Sequence, residues 1–152
     1  MKQTNLTILE NTRLADGIYR LRLAGDTSAI TAPGQFVNLK LSGFFLRRPI
    51  SVCDWSDGEL TLIYKVLGHG TEAMTGMAPG TALDVLTGLG NGFDLSRGGE
   101  HPLLVGGGVG IPPLYGLARR LTAQGKRVTA VLGFNRKSEI FLAEEFRALG
   151  AE

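Results

Sequence analysis

A cation, a hydroxyl and a glycine-rich turn recur at short spacing near the middle of the chain. Arg48-Pro49-Ile50-Ser51 is followed fourteen residues after Ser51 by Lys65, and then by Gly68-His69-Gly70-Thr71. Guanidinium and ammonium groups bind phosphate oxygens, and a glycine-relaxed backbone can turn its N–H groups toward an anion. The combination predicts a site for a phosphate-bearing redox cofactor.

A second glycine cluster predicts a separate nucleotide site. Gly106-Gly107-Gly108-Val109-Gly110-Ile111-Pro112-Pro113 lies between a short apolar run, His101–Val105, and a segment with helical periodicity, Pro113–Gln124. Strand, tight turn and helix form the setting in which dinucleotides bind, although the cluster does not fit G-x-G-x-x-G and a simple packing turn is the alternative. Two nucleotide sites in one short chain are typical of an electron-transfer flavoprotein.

We expect β-strands to position the residues of the first site, the one for a phosphate-bearing cofactor. Turn signals such as Ala15-Asp16-Gly17 and Ser56-Asp57-Gly58 separate short apolar segments, a spacing that predicts antiparallel strands closed into a Greek-key barrel. A short helix over Thr71–Met77, capped by Thr71, is expected to follow the fourth strand. The predicted strands are Thr4–Glu10, Ile18–Ala24, Gln35–Leu41, Glu59–Leu67 and Thr81–Leu86.

The pattern changes near Arg97, where we place a domain boundary between residues 1–97 and residues 98–152. Ser96–Glu100 is polar enough for a linker, with a surface loop as the alternative. A strand over Arg127–Phe134 and a helix over Phe141–Leu149 complete a β-α-β-α pattern. The second unit is therefore predicted to be an incomplete parallel α/β domain.

Only two parallel strands are predicted, whereas a dinucleotide-binding sheet usually has about five or six. An edge of unpaired N–H and C=O groups would remain. Either the chain is C-terminally truncated, or a partner covers the edge, for example a second copy in a homodimer.

Composition narrows the function further. The 152 residues are 43% apolar and carry a net charge of +2 with scattered basic residues, which gives no footprint for nucleic acid. No segment approaches the roughly 18 apolar residues of a membrane span, so we expect no membrane association and a cytoplasmic protein. Cys53 is the only cysteine, so the chain supplies no disulfide and no ligand set for an iron-sulfur cluster. We interpret Cys53 as a strand filler and assign His69 and His101 no metal or catalytic role.

The motifs resemble those of the ferredoxin-NADP reductase superfamily, most closely the family of electron-transfer subunits of type B dihydroorotate dehydrogenases. The resemblance runs through nearly the whole chain. Four segments carry it: Arg47-Arg48-Pro49-Ile50-Ser51, Ile63-Tyr64-Lys65 with Gly70-Thr71, Leu86-Thr87-Gly88-Leu89-Gly90-Asn91-Gly92-Phe93, and Gly107-Gly108-Val109-Gly110-Ile111-Pro112-Pro113.

The resemblance implies FAD bound to the barrel. Arg48 would pair with the FAD pyrophosphate, and Ser51 would place a hydroxyl or N–H near the redox-active flavin nitrogen. Thr71 would open a helix whose N-terminus favours an anion. The implied FAD residues are Arg48, Pro49, Ile50, Ser51, Ile63, Tyr64, Lys65, Gly70 and Thr71.

The resemblance also implies NAD on Gly107, Gly108 and Gly110. The choice of NAD over NADP rests on the resemblance alone, because no acidic residue follows the second strand and Arg136-Lys137 argue the other way. Electrons from dihydroorotate would pass from the FMN of a catalytic partner, in a heterotetramer, through a [2Fe-2S] cluster to FAD and NAD in pyrimidine biosynthesis. The cluster cysteines of that family lie beyond the nucleotide domain and have no counterpart in this chain.

Two other classes of function remain open. The same motifs fit a reductase module of a sulfide dehydrogenase or hydrogenase complex. A cofactor-free interaction module that docks a partner through its sheet edge is the other alternative.

Overall fold

The computed structural model describes all 152 residues, and its first part is a closed antiparallel barrel. The strand order around the barrel is β1-β2-β5-β4-β3-β6, so the long connections between neighbouring strands follow a Greek key. The barrel strands are β1 (Lys2–Ala15), β2 (Ile18–Ala24), β3 (Phe36–Leu39), β4 (Arg48–Ser56), β5 (Glu59–Lys65) and β6 (Ala82–Leu89), and helix α1 (His69–Thr75) lies between β5 and β6.

The second part is a parallel α/β unit. Strands β7 and β8 pair in parallel from Leu103↔Thr129 to Gly107↔Gly133, and helices follow each of them. The predicted fold class, an antiparallel barrel followed by an incomplete parallel α/β unit, is confirmed. The elements are β7 (Leu103–Gly107), α2 (Pro112–Ala123), β8 (Thr129–Gly133) and α3 (Ala143–Ala148), with short 3-10 turns at Leu95–Gly98, Gly108–Gly110 and Lys137–Glu139.

Two local features differ from the sequence expectations. Strand β4 was absent from the predicted strands, yet it forms over nine residues, and Pro49 within it pairs with Asn38 of β3. Helix α1 begins at His69, so the prediction that Thr71 caps it was wrong. The cap is Gly68, whose carbonyl accepts from Glu72 N at 2.9 Å. The Thr71 hydroxyl instead accepts from Leu67 N at 2.9 Å and so holds the turn that enters the helix.

Strand alternation produces two apolar cores on opposite sides of the barrel wall. Val52, Leu62 and Tyr64 face the barrel interior, whereas their neighbours Cys53 and Ile63 face outward and pack with α2 and α3. The α/β unit therefore shares a continuous apolar core with the outer face of the barrel.

Strand β4 is the main attachment point for α2. A Cβ on Gly116 would lie 2.6 Å from the Cys53 carbonyl oxygen, so the helix contacts the strand backbone itself. Nearby, Arg119 Nη2 donates to the Trp55 carbonyl at 3.0 Å and lies 2.8 Å from Asp54 Oδ1, and the Arg120 guanidinium lies 3.4 Å from the centre of the Trp55 ring. One strand thus carries the arginine-serine motif at its start and the helix of the second unit at its end.

The expected open edge of β8 is paired at one end. Ala130 N donates to the Glu152 carbonyl at 2.7 Å, and Glu152 N donates to the Val128 carbonyl at 3.0 Å, the alternation of a parallel ladder. Across the same small sheet, Leu103, Val105 and Val131 leave an apolar face exposed.

The longest helix, α2, has 12 residues, and no helix combines the length and hydropathy that crossing a bilayer requires.

The carboxylate of Glu10, on the outer surface of the barrel, makes the free energy of unfolding depend on pH in the acid range. Hydrogen bonds from Thr12, and then from Arg20 and Arg22, lower the pKa of Glu10 from 4.5 to about 2. Because the folded pKa is depressed, this stabilisation is full above about pH 4.5 and is lost as the pH falls through 2. As the pH falls from 4.5 to about 2, the free energy of unfolding should therefore decrease less in Glu10→Gln than in the native chain. Denaturant unfolding at a series of pH values checks this, and equal losses in both proteins would contradict it.

Candidate functional site

The two predicted phosphate-binding segments meet in one cleft at the rim of the barrel. This cleft, called the rim cleft below, has a volume of about 230 Å³. All the implied FAD residues except Gly70 line it. Its lining residues are Arg48, Pro49, Ile50, Ser51, Ile63, Tyr64, Lys65, Leu67, Thr71 and Val109.

Strand pairing explains why the cleft opens here. β4 and β5 are antiparallel, and their mutual ladder runs only from Ser56↔Glu59 to Val52↔Leu62. The start of β4, residues 48–51, and the end of β5, residues 63–65, therefore extend beyond the ladder without pairing with each other. Their facing backbone edges can hydrogen-bond a ligand placed between them.

Arg48 lies across the beginning of α1. A Cβ on Gly70 would come within 2.1 Å of Arg48 Nε, so only glycine leaves room for the guanidinium there. Arg48 donates to the Leu46 carbonyl and lies 5.0 Å from the Phe44 ring centre, but it takes part in no ion pair. A guanidinium at a cleft without a carboxylate partner is suited to an anionic ligand.

The neighbouring Arg47 has a structural role instead. Its Nη2 lies 2.9 Å from Asp84 Oδ2, and its Nη1 donates to the carbonyls of Asn38 and Asp84. Arg47 therefore joins β3 to β6, and the two adjacent arginines have separate tasks.

Lys65 reaches across to the second unit. Its ammonium lies 3.8 Å from Glu139 Oε1 in the 3-10 turn Lys137–Glu139, and both side chains are largely buried. The same turn is fixed to the barrel by Asp16 N, which donates to the Ser138 carbonyl at 3.0 Å. Lys65 thus lies where the two units meet.

The side chains of Tyr64 and Ile63 are almost completely buried and expose little surface in the cleft. Tyr64 is 1% exposed, its hydroxyl donates to Asn11 Oδ1 at 3.1 Å, and burial raises its pKa to about 12. Ile63 is buried between the barrel and α2. These residues can therefore contribute to ligand binding mainly through the backbone of the unpaired end of β5.

The second glycine cluster divides into packed and open positions. A Cβ on Gly106 would lie 2.6 Å from Leu114 Cδ1, so this glycine allows α2 to approach β7. A Cβ on Gly107 would lie 3.8 Å from the Gly133 carbonyl oxygen, an ordinary contact distance. Nothing lies within 4 Å of a Cβ built on Gly108 or Gly110. The backbone of Gly108–Gly110 is therefore open to a ligand, as the nucleotide-site hypothesis requires.

Sequence reasoning missed two cleft residues, Leu67 and Val109. Leu67 lies between the segments Ile63–Lys65 and Gly70–Thr71, and its 77% exposure is unusual for leucine. Val109 lies between open glycines of the second site and yet lines the first. The position of Val109 shows that the two candidate sites adjoin.

The remaining chemistry-bearing residues lie elsewhere. Cys53 is buried beneath α2, outside the rim cleft, and burial raises the pKa of its thiol well above the ordinary value. His69 is exposed on α1, and His101 contacts Arg127. No three His, Cys, Asp or Glu side chains are grouped so that they could hold a metal ion.

Gly70→Ala tests the link between this glycine and Arg48. The new methyl must displace the guanidinium, so we expect anionic ligands of the rim cleft, FAD foremost, to bind about tenfold more weakly, as the loss of one hydrogen bond to a charged group would produce. Titration of the purified variant measures this.

The matched control is Gly68→Ala, because nothing lies within 4 Å of a Cβ built there. Unfolding midpoints of both variants should stay near the native value. Equal ligand affinity in the Gly70 and Gly68 variants would show that the contact with Arg48 is unimportant.

Known proteins resemble this chain in sequence and in fold. No protein-family model matches the chain. The dihydroorotate dehydrogenase B (NAD(+)) electron transfer subunit of Geobacillus sp. (strain WCH70) is 44% identical over 99% of this chain and 62% of the relative. The counterpart in Bacillus pumilus (strain SAFR-032) is also 44% identical, over 99% of this chain and 61% of the relative. The chain thus spans about three fifths of the length of these relatives.

Solved structures share the fold. An NADH-dependent reduced ferredoxin-NADP oxidoreductase, studied for flavin-based electron bifurcation, superposes with a TM-score of 0.85 and 30% identity, over 96% of this chain and 54% of that chain. The match covers both the barrel and the α/β unit. The arrangement of the two units is therefore that of ferredoxin-NADP reductase-like proteins.

Proposed function

The chain is homologous over nearly its whole length to the electron transfer subunits of dihydroorotate dehydrogenase B, and we propose that it binds FAD in the rim cleft and takes part in electron transfer there. One observation carries the proposal. Arg48, which has no carboxylate partner, lies against Gly70 beside two strand ends that do not pair with each other. A diphosphate would bind the cation, and a flat polar ring joined to it would hydrogen-bond the free backbone edges.

The diphosphate end of the cofactor would lie at Arg48 and α1. The Arg48 fork would donate to phosphate oxygens, and Gly70 leaves the space that such an approach requires. Thr71 would act mainly by holding the Leu67–Gly68 turn in place, since its hydroxyl already accepts from both N–H groups.

The ring end would lie between β4 and β5. Pro49, Ile50 and Ser51 are fixed by pairing with β3, with Ser51 opposite Phe36. Their free edge, together with the backbone of residues 63–65, would orient the ring, and Ser51 would hydrogen-bond near its redox-active nitrogen. When bound, the flavin supplies the capacity to accept electrons in pairs and release them singly.

The dinucleotide would bind on the glycine turn of the second unit. We assign FAD to residues 1–97 and the dinucleotide to residues 98–152, with Gly107, Gly108 and Gly110 at its phosphates. NAD is proposed from the names of the relatives, because Asn135-Arg136-Lys137 after β8 include no carboxylate for a ribose hydroxyl.

The iron-sulfur cluster implied by the resemblance does not fit this chain. The one cysteine of these 152 residues is buried under α2, so the cluster ligands would lie outside them. The partner we propose is the FMN-containing catalytic subunit of a dihydroorotate dehydrogenase. The heterotetramer implied by the resemblance stays a prediction.

A test combines the FAD-loaded chain with that catalytic subunit and with the cluster-bearing part of the assembly under anaerobic conditions. We expect the chain and the catalytic subunit to co-purify and dihydroorotate to bleach the FAD absorbance, with the Arg48→Ala chain, which binds FAD more weakly, as the control. Absence of both a complex and bleaching would contradict the proposed partner while leaving the flavin site standing.

The likeness to the bifurcating oxidoreductase favours one second candidate, a reductase module of another electron-transfer complex. In that case reduced ferredoxin or a nicotinamide nucleotide would bleach the FAD and dihydroorotate would not. The same anaerobic assay therefore separates the two candidates.

A further inference from the structure

Val109 is an apolar side chain that belongs to one candidate site and lines the other. It lies in the turn Gly108–Gly110 between β7 and α2, and it lines the rim cleft together with Pro49, Ile63 and Lys65. It is 39% exposed, whereas Ile111, two residues later, is completely buried and anchors the start of α2. The turn is thus fixed at its base and presents Val109 toward the cleft.

The backbone of the turn explains this placement. Gly108 has φ +51°, a conformation that other residues rarely adopt, and this reverses the chain directly before Val109. The glycines on both sides of Val109 have open space around them. Val109 is therefore the only side chain at the tip of the turn, and a ligand lying on the glycines would contact it.

Val109 is also a stiff group. Branching at Cβ leaves valine few χ1 rotamers, so its two methyl groups hold a defined position at the mouth of the cleft. An apolar group held there excludes water from the part of a ligand that it covers. Val109 therefore lies between two candidate binding surfaces, the free edges of β4 and β5 on one side and the open backbone of the glycine turn on the other.

We propose that Val109 is a positioning residue, which covers the ring end of a flavin in the rim cleft and sets the distance between that ring and a dinucleotide on the glycine turn. This inference rests on the proposed FAD site. It assigns the one side chain of the glycine turn a role that the glycines cannot have, since they have no side chain to cover the ring.

The test measures how well the bound flavin is shielded. FAD is bound to the native chain and to Val109→Ala and Val109→Ile, and collisional quenching of flavin fluorescence by iodide is recorded. We expect the alanine variant to raise the quenching constant by about twofold or more, because the lost methyl groups leave a gap over the ring. Isoleucine should restore native or lower quenching, and the visible flavin bands should shift only in the alanine variant.

The matched control is Val131→Ala, which shortens a 51% exposed valine on β8 that does not line the cleft. Its quenching and flavin bands should equal those of the native protein. If native chain binds FAD but Val109→Ala shows unchanged quenching, the role of Val109 is overturned and the FAD site stands. If the native chain takes up no FAD, both the role of Val109 and the FAD site are overturned.

Discussion

Arg48→Ala is expected to weaken FAD binding by about 100-fold. The guanidinium has no competing carboxylate, so its donors are available to the diphosphate, and each hydrogen bond to a charged group contributes about 1.5–3 kcal/mol. The FAD affinity of Arg48→Lys should lie between those of the native chain and of Arg48→Ala, because an ammonium keeps the charge but loses the planar fork. Titration of the purified variants with FAD, followed by flavin absorbance, gives the affinities.

The adjacent arginine provides the control for charge. Arg47 and Arg48 carry the same charge one residue apart, but Arg47 holds Asp84 and two carbonyl groups. Arg47→Ala should leave a partly buried carboxylate unpaired and lower the free energy of unfolding by about 1–3 kcal/mol, with a smaller effect on FAD affinity than Arg48→Ala. Equal losses of affinity in the two variants would contradict the assignment of Arg48 to the diphosphate.

Gly116→Ala is expected to loosen the attachment of the α/β unit to the barrel. The added Cβ would lie 2.6 Å from the backbone oxygen of Cys53, so helix α2 or strand β4 must move. Overpacking of this kind costs about 1–3 kcal/mol, and the better helix propensity of alanine returns up to about 1 kcal/mol. A net loss of about 1–2 kcal/mol should lower the thermal unfolding midpoint by roughly 2–8 °C, which calorimetry can measure.

Gly76→Ala is the matched control for that substitution. Gly76 ends α1 with a negative φ, and the nearest atom to a Cβ built there is 3.8 Å away. Its midpoint should change little. An unchanged midpoint in the Gly116 variant as well would show that α2 does not depend on close contact with β4.

Much of the architecture follows from local sequence signals. Ile18–Ala24 was predicted with its observed bounds, because alternation over seven residues is bounded by clear turns. The fourteen-residue interval between Ser51 and Lys65 places the motifs at the start of β4 and the end of β5, and antiparallel pairing brings such ends together. The convergence of Arg48 with the segment Gly70–Thr71 was predicted from the spacing of the motifs and from the family resemblance.

Other features depend on contacts that no local pattern encodes. The different roles of Arg47 and Arg48 are set by Asp84, which lies on β6 and is 37 residues from Arg47 in sequence. The partners of the buried Tyr64 side chain, a hydrogen bond to Asn11 and stacking on Tyr19, lie on strands β1 and β2. Val109 enters the rim cleft only because α2 packs on β4, which the sequence of the glycine cluster alone cannot indicate.

The most direct test of the FAD site is titration of the purified native chain with FAD, monitored by flavin absorbance and by isothermal calorimetry. We expect saturable binding of one FAD per chain with a shifted flavin spectrum, and binding about 100-fold weaker in Arg48→Ala. A colourless chain that takes up no added FAD, with no heat of binding and a flavin spectrum identical to that of free FAD, would contradict the proposed FAD site.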